Sequence, residues 1–88
     1  MAVRTYATLM PRYRLHISNS IGLAEDKEGQ ALPNLEAARE EALRGIRSLL
    51  ADELKCGQVD LRGKIDVVDD ADRVLMTVPF DEAFAIVR

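Results

Sequence analysis

From Arg12 to Ser18 apolar and polar positions alternate, with Tyr13, Leu15 and Ile17 on one face and Arg12, Arg14, His16 and Ser18 on the other. A two-residue period of this kind predicts a half-buried β-strand. Asn19-Ser20 is a turn signal, and Ile21 to Glu25 is expected to return as a second, shorter strand with Ile21 and Leu23 inward. Gly29 then closes the charged loop Glu25-Asp26-Lys27-Glu28 with a positive φ, a conformation that glycine alone adopts freely.

The period changes after Ala31-Leu32-Pro33-Asn34. Asn34 is a strong N-cap, Pro33 holds the residue before it extended, and Glu36 suits the positive end of a helix dipole. A helix of roughly twenty residues is expected from there, in the length range of an ordinary globular helix. At 100° per residue Ala38, Ala42, Ile46, Leu49 and Leu50 share about 120° of arc, flanked by Leu43 and Leu54, which predicts a core-facing stripe. Glu40, Glu41, Arg44, Arg47 and Ser48 take the far side, with Glu40 and Arg44 in the favourable i,i+4 order. Gly57 is a natural residue to end the helix. Arg39 and Glu53 interrupt the stripe near its two ends, their stems over the core edge or their heads toward a partner. Gly45, mid-helix, suggests close approach by another element.

Lys64 to Asp69 reads as a third strand with Ile65 and Val67 on one face, followed by the turn Asp69-Asp70-Ala71-Asp72. Arg73 to Val78 reads as a fourth, apolar on nearly both faces, and is expected to be central or to lie under an interface. Pro79 stops the ladder, and Asp81 to Ile86 is expected to form a last helical turn capped by Asp81 and anchored by Phe80, Phe84 and Ile86. The fold class is therefore α+β in the order ββαββ: a four-stranded, mainly antiparallel sheet with one long helix packed on one face. The domain is read as residues 10–88, with residues 1–9 an extension before a natural start at Met10 or an arm that pairs with the sheet or a partner.

One helix covers one sheet face only. Leu75 and Thr77 are left as candidate interface residues together with Arg39 and Glu53, and a homodimer through the uncovered face or a sheet edge is the economical way to hide Leu75.

Charge and composition narrow the functions. At 88 residues the chain buries only about 60–65% of its unfolded surface, enough for a core and little for a deep site. A net charge of -3 argues against a general nucleic-acid binder. All fifteen acids, however, lie beyond residue 24, so Arg12, Arg14 and His16 form a basic strand face that offers a possible partner or nucleic-acid contact. A nucleic-acid-associated regulator is the alternative reading. The one histidine has no nucleophile or carboxylate at a catalytic spacing, and the acidic clusters Glu25/Asp26/Glu28 and Asp69/Asp70/Asp72 lack the calcium-loop pattern and read as solvated turns. No phosphate loop, nucleophile elbow or dinucleotide fingerprint is present. Neither catalysis, a metal nor a cofactor is expected. The single Cys56 fits a reducing cytoplasm, and no apolar run reaches the ~18 residues of a membrane span.

Met10-Pro11-Arg12-Tyr13 with His16, then Asp26, Glu28-Gly29, Leu32-Pro33, Ala38, Glu41-Ala42 and Val78-Pro79-Phe80, resembles a family of short bacterial proteins of unknown function over about residues 10–84. The chain departs from that pattern by residues 1–9 and by Ser18-Asn19-Ser20 in place of an acidic turn. The resemblance brings no activity or site residue. More locally, the opening hairpin, the Leu-Pro entry and the Glu-Ala helix resemble the start of HicB-type antitoxins, which are partner-binding modules. The expected role is a non-catalytic interaction or regulatory module, homodimeric and free of any membrane.

Overall fold

The computed structural model describes residues 10–88, and the expectations placed on residues 1–9 and on Met10 as the start concern chain outside or at the border of that range. Strand β1 (Arg12–Ser18) is the spine of the sheet. Two very short strands pair antiparallel with it: β2 (Leu23–Ala24) with Ile17 and Ser18, and β3 (Gln30–Ala31) with Arg12 and Tyr13. Helix α1 (Leu35–Lys55) follows, then β4 (Lys64–Val68) and β5 (Val74–Pro79), and a 3-10 turn over Phe80–Ala83. The main path across the sheet is β2-β1-β4-β5, antiparallel throughout, with β3 as the fifth strand.

The α+β expectation of one helix on an antiparallel sheet holds, with five strands in place of four. Leu23 and Ile21 do not face inward: they are 62% and 93% exposed. Two ladder pairs are too few to turn either side chain under the helix, and Asn19 instead folds the chain sharply, its Oδ1 accepting the N–H groups of Ile21 and Gly22. β5 is not central but an edge strand, at the opposite end of the path from β2. β3 escapes a pattern-based reading because two residues carry no period. Its cause is visible in the sequence all the same: Gly29 has φ +68° and sits so close to β1 that a Cβ there would lie 2.6 Å from the Tyr13 carbonyl oxygen.

The helix begins as its cap dictates, with Asn34 Oδ1 accepting the Ala37 N–H at 2.8 Å. At the other end Gln58 N–H donates to Glu53 O and Gly57 N–H to Leu54 O, the paired reverse bonds of a Schellman motif, with Gly57 at φ +89°. The buried stripe is Ala38, Ala42, Leu43, Ile46 and Leu50. It packs on Tyr13, Ile65, Val67 and Val78, and Phe80 and Ala83 from the 3-10 turn complete the core. Gly45 marks no close approach, since a Cβ there would meet only Ile65 Cδ1 at 3.9 Å. On the outer side Arg44 pairs with Glu41, not with Glu40. The final helical turn lies at Phe80–Ala83 with no side-chain cap from Asp81; Phe80 is fully buried, whereas Ile86 is 68% exposed and anchors nothing.

Candidate interaction surfaces

The basic face of β1 is partnered within the chain. Arg12 Nη1 donates to Glu28 O at 2.9 Å, and Arg14 Nη2 donates to Asp69 O at 3.1 Å and pairs with the Asp72 carboxylate. His16 Nδ1 accepts the Asp26 N–H at 3.0 Å. The structure thus brings Arg12, Arg14 and His16 onto one face, as their spacing requires, but ties two of them to the loop after β2 and the third to the β4–β5 turn.

The residue that organises this region is Asp26. Its Oδ2 accepts the Leu15 N–H at 3.2 Å, between the stretches of β1 bonded by β2 and β3, and its Oδ1 accepts the Gly29 N–H at 3.0 Å. One carboxylate therefore substitutes for a missing strand residue along β1. A bare acidic loop gives no sign of that role; the pair Asp26 and Gly29, three apart, is the signal that was available.

Two other aspartates hold turns. Asp60 accepts two bonds from the Arg62 guanidinium, one from the Ser20 hydroxyl and one from the Arg62 N–H. The Arg62 guanidinium first, then Ser20 and the backbone donor, keep its carboxyl well below the usual carboxylate range. Asp69 accepts the N–H groups of Ala71 and Arg73 and the Arg73 Nε, and these, led by the Arg73 backbone bond, also lower its pKa. The acidic cluster at 69–72 is a turn, built partly on Asp72 at φ +62°.

Glu53, one of the two charges on the helix stripe, uses its side chain on the loop that follows: Oε1 accepts the Asp60 N–H at 2.9 Å. Arg39 instead lines a shallow depression of about 250 Å³ beside β5 with Leu35, Glu36, Glu40 and Met76. Arg47 reaches across to donate to Ala83 O at 2.6 Å, a helix-to-turn tie that its place on the polar side of the wheel concealed. Cys56 is exposed and unpaired, and among the described residues no group of three or more His, Cys, Asp or Glu side chains is placed to hold a metal ion.

The remaining site residues, Leu75 and Thr77, lie on the edge strand β5. Val67 pairs with Met76 and Val68 with Val74, so Leu75 is the extra residue of a bulge. Phe80 N–H donates to Gly63 O at 3.0 Å. Bonded and non-bonded pairs alternate along an antiparallel ladder, so Val78 opposite Ile65 and Met76 opposite Val67 carry the bonds to β4. The backbone groups of Thr77 and the carbonyl of Pro79 then turn to the edge that no described strand occupies. Thr77 Oγ1 donates to Asp66 Oδ1 at 2.7 Å, and Leu75 and Val74 are 41% and 58% exposed.

Among the described residues, one α-helix on an open antiparallel sheet whose β5 edge no described strand covers defines a small α+β domain of the open-sheet type. The chain belongs to the family described as a domain of unknown function (DUF6894), whose model matches residues 12–81, from the first residue of β1 into the 3-10 turn. That match carries no support for the local likeness to HicB-type antitoxins. No curated protein and no solved structure matches the chain. No helix among the described residues is long and apolar enough to cross a membrane.

Proposed function

We propose that this chain is a non-catalytic interaction module that takes an extended segment of a partner onto the edge of β5 that no described strand occupies. The observation that carries the reading is the outward backbone of Thr77 on a strand, Val74–Pro79, without a single charged side chain. Natural proteins blunt sheet edges with charges, because an open row of N–H and C=O groups is a template for pairing. Among the described residues only the Leu75 bulge and Pro79 limit the edge, one near each end. Adding a strand to such an edge supplies main-chain hydrogen bonds for affinity and alternate side-chain contacts for specificity. An exposed, unpaired Cys56 suits a reducing cytoplasm as the place where this happens.

The alternative of a nucleic-acid-associated regulator draws less support, since Arg14 is neutralised by Asp72 and Arg12 is held by Glu28 O. The test is an amide chemical-shift titration with short extended peptides. Shifts at Leu75, Met76 and Thr77, lost in Thr77→Pro, are expected; proline there removes an outward N–H and leaves the bonds to β4 in place. A peptide set that leaves the β5 amides unmoved, with no self-association through that strand, ends this reading.

A further inference from the structure

The edge of β5 lies between acidic ends. Asp70 stands in the turn before it, Asp81 and Glu82 follow after Phe80 in the 3-10 turn, and Glu36 and Glu40 line the depression beside Met76. All five are exposed, and none forms an ion pair with a described residue. The bases nearby are Arg39, in the same depression; Arg73, already bound to Asp69; Lys64, opposite Pro79 and paired with Asp66; Arg62, bound to Asp60; and Arg47, which bonds the Ala83 carbonyl. A strand laid along β5 would therefore meet a strand with no charged side chain of its own, bordered by more unpaired acids than unpaired bases.

That distribution discriminates between occupants. Two copies joined edge to edge about a two-fold axis run antiparallel, so Asp70, the acid of the 69–72 turn without an ion pair, would approach Asp81 and Glu82 of the other copy. Like charges placed opposite each other weaken a strand pair, and opposite charges strengthen it. Resting on the reading of β5 as a docking edge, we infer that its occupant is a segment of a different protein: an extended stretch with an uncharged, β-prone centre and Lys or Arg at both ends.

The experiment uses three nine-residue peptides sharing a Thr-Val-Thr-Val-Thr centre and ending in two lysines, two serines or two glutamates on each side. Dissociation constants are read from the Leu75 and Thr77 amide shifts of the full chain. The lysine-ended peptide is expected to bind about tenfold more tightly than the serine-ended one, the sum of several modest surface pairs. The glutamate-ended peptide should be the weakest, and at ~1 M salt, where the Debye length is ~3 Å, the three should converge. Asp81→Lys combined with Glu82→Lys should lower the preference for lysine ends without moving the site of the shifts. Equal affinities for the three peptides would leave the edge reading standing and overturn the charge inference. A dimer at tens of micromolar that Thr77→Pro abolishes would do the same by naming a second copy as occupant. Absence of both peptide shifts and a dimer takes down the edge reading and this inference together.

Discussion

Gly63 receives Phe80 twice: its carbonyl accepts the Phe80 N–H at 3.0 Å, and its missing side chain leaves room for the ring, which would lie 2.4 Å from a Cβ at that position. Phe80 is the largest fully buried side chain, so the glycine is the floor of the site that seats the main aromatic of the core. Gly63→Ala should destabilise the fold by about 1–3 kcal/mol through overpacking. Phe80→Leu alone also destabilises, but combined with Gly63→Ala the two costs should sum to more than the double variant shows, because the smaller side chain relieves the clash. Urea midpoints of the four proteins measure this coupling, and simple additivity would refute it.

Gly45 predicts the opposite sign. It is exposed in the middle of α1, and a Cβ would find ordinary contact with Ile65 Cδ1 at 3.9 Å. Gly45→Ala should stabilise by about 0.5–1 kcal/mol, the ordinary difference in helix propensity, seen as a raised urea midpoint with unchanged slope.

The loop from β2 to β3 should fail as a unit. Gly29→Ala forces an L side chain to φ +68° against the Tyr13 carbonyl, and Asp26→Ala deprives the Leu15 and Gly29 N–H groups of their acceptor. Each is expected to cost about 1–3 kcal/mol. In either variant hydrogen exchange should accelerate at Leu15 and over residues 23–31 before it does in α1; uniform acceleration would mean that the loop is not a separate unit.

Acid should loosen the turns at Asp60 and Asp69. Both carboxyls are held below their ordinary value of 3.8, so their contributions to stability are complete above that pH and are lost as pH falls below it toward the depressed folded values. The stability difference between the protein and Asp60→Asn should be constant from pH 7 to about 5 and shrink steadily below about pH 4. A difference independent of pH down to 2 would show that the charge of Asp60 is not what holds Ser20 and Arg62.

The elements with a long period were legible in the sequence: β1, α1 with both its caps, and the inner face of β4 at Ile65 and Val67. What was not legible had no period to read. β3 is two residues set by Gly29, and the position of β5 at the edge follows from β1 inserting beside β4, a choice of neighbour that no local pattern of Val74 to Val78 encodes. The candidate site was half visible. The apolar character of Leu75 and the spacing of Arg12, Arg14 and His16 could be read off directly; the carboxylate and carbonyls that occupy the two arginines come from Asp72, Asp69 and Glu28, brought in by folding.

The register that sets Arg14 opposite Val68 also governs the order of events in time. β1 is written near the start of the chain and its main neighbour near the other end, with the whole helix between them. At a synthesis rate of about 5–20 residues per second, β1 waits roughly 3–10 s for β4 to be made. Until then β1 has only the two-residue strands β2 and β3 as ladder partners, and Tyr13, Leu15 and Ile17 have α1 alone to cover them. The hairpin of β4 and β5 arrives last and turns those parts into a domain.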